Sequence, residues 1–107
     1  MDLRRHQRFP VHFQSMFSGP QRGESVGTIV NLSKSGCRVK TDSKVYSGMH
    51  ISLRFDVPGE DSPLRIDRAA VRWTRGDEVG VGFITVAPPQ QERLDQLLAR
   101  LKQDLKT

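Results

Sequence analysis

The sequence has little of several things, and each scarcity excludes a class of protein. A single cysteine, Cys37, permits no intramolecular disulfide and supplies too few thiolates for a cysteine-ligated structural zinc site. No run approaches the roughly 18 apolar residues that a membrane-spanning helix requires, so we expect no membrane insertion. The N-terminal residues are polar and basic and lack the apolar stretch of a secretory signal, which predicts a cytoplasmic protein.

Groups suited to catalysis are also scarce. The three histidines, His6, His12 and His50, have no evident nucleophile or base as a partner in the sequence. There is no nucleophile elbow and no phosphate-cradling glycine loop of the nucleotidase kind. We therefore expect a protein that is not an enzyme and that holds no metal or cofactor. Cys37 is interpreted as a small buried hydrophobe rather than a reactive thiol.

Positive charge is present in excess. Lys and Arg number 17 against 12 Asp and Glu, which gives a formal net charge of +5. The excess is concentrated near the N-terminus, where Arg4, Arg5 and Arg8 are accompanied by one acid, Asp2. Such a patch favours an anionic partner, whether a phosphate ligand, a nucleic acid or an acidic lipid.

The body of the chain has the pattern of short strands. Apolar residues alternate with polar ones in six segments separated by turn residues, at 9–17, 26–30, 37–41, 51–57, 64–75 and 79–83. In the fifth segment, Ala69, Val71 and Trp73 are predicted to share one face. In the sixth, Gly80 and Gly82 alternate with apolar residues, which indicates close backbone approach or a bend. Strands without intervening helices predict an antiparallel barrel or sandwich in one domain.

The periodicity changes after Pro88 and Pro89. Five leucines then recur at spacings of three and four residues, namely Leu94, Leu97, Leu98, Leu101 and Leu105. This stripe predicts an amphipathic helix from about 90 to 106. We expect the helix to pack on the sheet as a lid rather than to bind a partner.

Two short segments have the chemistry of a nucleotide site. Arg4 and Arg8 lie four residues apart, and the guanidinium fork suits both phosphate oxygens and the acceptor edge of guanine. In the polar turn between the second and third strands, Asn31 and Ser33 offer an amide and a hydroxyl, and Gly36 permits a backbone conformation that other residues resist. Taken singly, the arginine segment is better explained as a solvated basic tail, and the turn is weak evidence because Asx turns are common between strands.

Taken together, the segments resemble the two-part signature of the PilZ family. An R-x-x-x-R pattern precedes an N-x-S-x-x-G turn by about 23 residues, with Asn where the family has Asp or Asn. The resemblance covers nearly the whole chain in order, through Arg8-Phe9-Pro10-Val11, Val71-Arg72-Trp73 and Gly80-Val81-Gly82-Phe83.

The resemblance implies one domain over 1–107. It would comprise a flexible basic arm at 1–8, a six-stranded antiparallel β-barrel at 9–85 and a C-terminal α-helix at 90–106. It also implies a non-enzymatic receptor for cyclic di-GMP, which orders its arm on binding and signals through an unidentified downstream protein. The oligomeric state stays open.

The resemblance further implies a set of ligand-binding residues, namely Arg4, Arg5, Arg8, Asn31, Ser33, Gly36 and Trp73. The motif arginines would grip phosphates and guanine edges, and the arginine beside them would add electrostatic attraction. Asn31 and Ser33 would hydrogen-bond a guanine, with Gly36 shaping their turn. Trp73 would stack on a guanine or, equally well, pack in the barrel or at its rim. Leu3, just before the motif, supplies no guanidinium, which favours one cyclic di-GMP per protomer.

Two alternatives remain open. One is a PilZ-like module that acts by protein contacts and does not bind the nucleotide. The other is a small β-barrel that binds RNA or single-stranded DNA, which the net charge permits. With 7% aromatic residues, however, few rings are placed for base stacking, so nucleic acid is the less favoured partner. Because the sequence contains both halves of the signature, nucleotide binding is favoured over the first alternative.

Overall fold

The residues described by a computed structural model, 7–20 and 23–105, form six strands and one helix. The elements are β1 (Phe9–Ser18), β2 (Ser25–Leu32), β3 (Gly36–Lys40), β4 (His50–Phe55), β5 (Leu64–Arg75), β6 (Glu78–Thr85) and α1 (Pro88–Asp104). Each strand pairs antiparallel with its neighbours, and the sheet closes in the order β1-β2-β3-β6-β5-β4. The predicted six-stranded antiparallel barrel with a C-terminal helix is confirmed, and the sandwich is excluded.

Part of the predicted arm lies outside the described residues. Leu3, Arg4 and Arg5 of the arm are among the residues not described, and so is Lys106 at the predicted end of the helix. The helix begins at Pro88, slightly earlier than predicted. Proline is favourable there because the first helical N–H groups have no partner within the helix.

The barrel interior is filled by the inward-facing residues of all six strands. The apolar residues of β4 alternate inward as predicted, and Phe55 stacks on Phe13 of β1 with ring centroids 5.9 Å apart. Burial of side chains of this size contributes roughly 1.5–3 kcal/mol each. Cys37 is also buried, and burial raises its pKa to about 12 although the positive charge of Arg8 opposes the shift. Its interpretation as a buried hydrophobe is confirmed.

Helix α1 covers the barrel through its leucine stripe. Leu94 and Leu97 are buried in the core, and Leu98 and Leu101 pack against it. Leu105 follows the helix and is 59% exposed. The predicted packing of the helix on the sheet is confirmed. In the part of the chain that the structure describes, no helix has the length and apolar character needed to cross a bilayer.

Arg93 ties the helix to the loop between β4 and β5. Its guanidinium donates to the carbonyl oxygens of Pro63 at 2.9 Å and Ser62 at 2.7 Å, and it pairs with Glu60. The hydrogen bond from Arg93, assisted by Arg100, holds the pKa of Glu60 below its ordinary value. The resulting stabilisation is complete above the ordinary glutamate pKa and is lost as the pH falls through the lowered value.

Strands β3 and β6 approach closely at Gly36, which lies opposite Gly82. A Cβ on Gly36 would overlap the carbonyl oxygen of Val81. Among the described residues, positive φ angles occur at Gly48, Gly59 and Gly76, so Gly36 does not have the unusual backbone conformation that the sequence suggested. Glycine is needed at position 36 for the space between two backbones.

We expect Arg93→Ala to lower the free energy of unfolding by about 1–2 kcal/mol, because the carbonyl of Pro63, in a part-buried hydrogen bond, and the carbonyl of Ser62 both lose their donor. Denaturant unfolding at neutral pH measures this change. Arg100→Ala is the matched control, because Arg100 makes one exposed contact to Glu60 and its removal should cost less than about 0.5 kcal/mol. Equal losses for the two variants would contradict the role given to Arg93.

We expect Gly36→Ala to destabilise the barrel by about 1–3 kcal/mol, because a methyl group there meets backbone that cannot move aside cheaply. The control is Gly23→Ala, since a Cβ on Gly23 has nothing within 4 Å. Thermal unfolding should separate the two variants clearly. A Gly36→Ala protein as stable as the wild type would show that β3 and β6 can separate without cost.

Candidate binding groove

One groove on the outer face of the barrel contains most of the predicted site residues that the structure describes. Its volume is about 580 Å³, within the range of roughly 300–1,000 Å³ typical of small-molecule sites. The groove is lined by Arg8, Asn31, Ser35, Gly36, Arg38, Arg72, Trp73, Gly80, Val81, Gly82 and Phe83. Four residues of the predicted set are among them, and Ser33 is not.

The register of β1 against β2 brings the two halves of the sequence signature together. Phe9 pairs with Leu32 and Pro10 with Asn31, so Arg8 enters β1 beside the end of β2. Its Nη1 donates to Oδ1 of Asn31 at 3.2 Å, although the two residues are 23 positions apart in the chain. The strand pairing therefore positions the last arginine of the arm at the edge of the groove.

The turn after β2 is held together by Ser33. The Ser33 hydroxyl donates to the carbonyl oxygen of Gly36 at 3.3 Å and accepts from the Ser35 N–H at 3.3 Å. Ser33 is fully buried, whereas Ser35 is exposed and lines the groove. The Phe83 N–H donates to the Ser35 carbonyl at 2.8 Å, which ties the turn to β6. Ser33 shapes the turn in this structure, and its predicted contact to a ligand stays a prediction.

Trp73 faces outward, which differs from the face predicted for it. The register between β5 and β6 shifts between Val71 and Trp73, so Arg72 and Trp73 both lie on the outer side although they are consecutive. Trp73 is 41% exposed as a residue, and its ring lies over Gly80, where a Cβ would overlap it. This position excludes packing of Trp73 in the core, whereas packing at the barrel rim and stacking on a ligand both stay predictions.

Sequence reasoning missed two arginines of the groove. Arg72 lies over Gly82, and Arg38 of β3 lies with its Nε 3.3 Å from Oε1 of Glu78. On a half-buried strand, an outward arginine is ordinarily a solvated residue, so neither stood out. The alternate glycines of β6 were the available signal, since they mark a surface on which side chains from the neighbouring strand can lie.

The electrostatics of the groove favour an anion. Three arginines line it, and none of the lining residues is acidic. Glu78 neutralises part of the charge of Arg38, but that pair is 44% and 37% exposed and is therefore weakened by water and salt. Together with the aromatic face of Trp73, this arrangement suits a ligand that is both negatively charged and planar.

Comparisons with solved structures place the fold among known ones. Bacillus subtilis inhibitor of motility (MotI/DgrA) gives a TM-score of 0.80 at 19% identity, over 97% of this chain and 53% of that one. The PilZ domain of CeSA from a cellulose-synthesizing bacterium gives a TM-score of 0.70 at 17% identity, over 90% of this chain and 98% of that one. Escherichia coli YcgR in complex with cyclic di-GMP gives a TM-score of 0.80 at 14% identity, over 99% of this chain and 49% of that one. The chain thus spans about half the length of MotI/DgrA and YcgR.

The sequence itself has a family match. No curated protein matches it significantly. The family model for the PilZ domain, however, matches residues 2–100, which include both signature segments, all six strands and most of α1. Two solved PilZ domains, those of CeSA and of Escherichia coli YcgR, match the fold over 90% and 98% of this chain, with TM-scores of 0.70 and 0.76. The chain therefore belongs to the PilZ domain family.

Proposed function

We propose that this chain is a receptor that binds cyclic di-GMP in the groove. The observation that carries the proposal is the hydrogen bond between Arg8 and Asn31 at the edge of a groove lined by three arginines and one tryptophan. Cyclic di-GMP presents two phosphates and two guanines, and an arginine fork can pair with phosphate oxygens or with guanine O6 and N7. The structural neighbour YcgR, a barrel of the same fold, was solved with this ligand.

The groove residues have complementary roles in ligand binding in this proposal. Arg8 approaches a phosphate or a guanine edge from one side. Asn31 accepts from Arg8 through Oδ1, so its amide nitrogen is free to donate to a guanine. Ser35, which is exposed, also lines the groove. Gly36 has no side chain and therefore leaves room in the groove for the ligand. Trp73 offers its ring for stacking from the opposite side.

The remaining arginines of the arm complete the site. Arg4 and Arg5 close on the ligand from the N-terminal side, because its phosphates neutralise charges that otherwise repel one another. With no guanidinium from Leu3, one cyclic di-GMP binds per protomer. The ligand is not altered chemically, and the rearranged surface is recognised by a downstream protein.

Calorimetric titration tests the ligand and the arm together. We expect one cyclic di-GMP per protomer for the wild type, with a dissociation constant in the micromolar range or tighter. The double variant Arg4→Ala, Arg8→Ala should bind at least roughly 100-fold more weakly, because each charge-assisted hydrogen-bonding group contributes about 1.5–3 kcal/mol.

The matched control removes two positive charges elsewhere. Arg65 and Lys102 are exposed and do not line the groove, so Arg65→Ala, Lys102→Ala should leave affinity within about threefold of the wild type. Cyclic di-AMP, which has the same phosphates but no guanine O6, should bind more weakly than cyclic di-GMP. The absence of heat with cyclic di-GMP, combined with salt-sensitive binding of single-stranded RNA, would replace the receptor with a nucleic-acid-binding barrel.

Trp73 provides an independent readout because it is the single tryptophan of the chain. We expect cyclic di-GMP to quench its fluorescence as a guanine stacks on the ring. Trp73→Ala should weaken binding roughly 5- to 150-fold, since stacking of a base on an aromatic side chain contributes about 1–3 kcal/mol. Tyr46, which is 66% exposed and does not line the groove, supplies the control variant Tyr46→Ala. Saturable binding with unchanged fluorescence would contradict stacking on Trp73.

A further inference from the structure

We infer that Arg72 and Trp73 form one stacking platform for the bases of the ligand, in which Arg72 is a binding residue outside both sequence motifs. The inference rests on the proposed function, because it concerns the same groove and the same ligand. It adds a residue that neither half of the signature contains, and it assigns that residue a planar contact rather than a purely electrostatic one.

The bulge in β5 makes the platform possible. In a regular strand, consecutive residues point to opposite faces. The register shift between Val71 and Trp73 interrupts this alternation, so Val71 is buried and the next two side chains are both exposed on the groove side. A guanidinium and an indole are thereby placed next to each other on one surface.

Two glycines of β6 form the floor of the platform. A Cβ on Gly82 would lie 2.6 Å from Nε, 3.2 Å from Nη2 and 3.3 Å from Cζ of Arg72. These three atoms are at similar distances, so the guanidinium lies across the glycine rather than pointing away from it. Trp73 lies over Gly80 in the same way. The two glycines are separated by about 7 Å along the strand, so the two planar groups lie over successive outward positions of β6.

Within the described residues, Arg72 differs from the other two arginines of the groove in its side-chain partners. Arg38 pairs with Glu78, and Arg8 donates to Asn31. For the Arg72 guanidinium, in contrast, we find no hydrogen bond or ion pair to any residue within 7–20 and 23–105. A guanidinium plane stacks favourably on aromatic rings and is attracted to their faces. A purine above Arg72 would gain stacking and place its phosphate near a guanidinium that no described residue neutralises.

Affinities for cyclic di-GMP of three proteins test the inference: the wild type, Arg72→Ala and Arg72→Lys. We expect roughly tenfold weaker binding or worse for Arg72→Ala, and a similar loss for Arg72→Lys, because lysine keeps the charge but has no planar group. Arg65→Ala, which removes an arginine from the same strand outside the groove, should bind like the wild type.

Gly82→Ala tests the floor of the platform without changing either half of the sequence signature. The atoms that its methyl group would meet belong to a flexible side chain, so the melting temperature should change little while Arg72 is displaced. We expect affinity to fall by roughly the same factor as in Arg72→Ala, and the double variant to show no further loss.

Three results would overturn the inference. Binding by Arg72→Ala at wild-type affinity would remove Arg72 from the site. Wild-type affinity of Arg72→Lys would show that charge alone matters. Independent, additive losses for Gly82→Ala and Arg72→Ala would show that Gly82 does not act through Arg72. Each of these requires a wild type that binds, whereas a wild type that does not bind cyclic di-GMP would instead overturn the proposed function and this inference with it.

Discussion

The pairing of β3 with β6 at Gly36 and Gly82 determines the surface on which the rest of the site is arranged. At this point the strands leave no room for a Cβ on Gly36, and the next outward residue of β6 is again a glycine, Gly80. The outer face of the barrel is consequently low and flat where most sheets carry side chains. Groups from the neighbouring elements can lie over this face, Trp73 from β5 and Arg8 from the start of β1 among them. The close packing of two backbones thus creates both the strand pairing and the groove.

The inward and outward faces of the strands serve separate purposes. Apolar residues alternate into the barrel and, with the buried leucines of α1, form one core. Helix α1 contacts β5 and β1 and is held to the loop before β5 by Arg93, and none of its residues lines the groove. Stability and ligand contact therefore depend on different side chains. Exposed arginines can be present in the groove because the core does not depend on them.

Much of the fold follows from periodicity in the sequence, since alternation and the leucine stripe directly reflect which side chains are buried. The strands and the helix were predicted for this reason. The bulge at Arg72 was not, because a single extra residue in one strand leaves no distinct mark in an alternating pattern. Because the bulge was not predicted, Trp73 was assigned to the wrong face of the sheet, and Arg72 was not recognised as a groove residue.

The two motifs were recognised by spacing, but spacing gives residue types and not the contacts they make. The contact between Arg8 and Asn31 depends on the register of β1 and β2, which the sequence does not specify. Ser33 was expected to face a ligand, yet its hydroxyl closes the turn within the protein. Gly36 was predicted to shape the turn for a conformational reason, whereas the structure shows a steric restriction at this position, between β3 and β6.

The central claim is that cyclic di-GMP occupies this groove, and a nitrogen–proton NMR titration of the labelled protein tests it most directly. The account predicts that the largest shifts occur in the amides of the turn from Asn31 to Gly36, in those of Gly80 to Phe83, and in the single indole N–H of Trp73. Amides at the opposite end of the barrel, around Asp42 and Asp77, should change little. Shifts concentrated at that end, or no shifts at saturating ligand, would contradict the account.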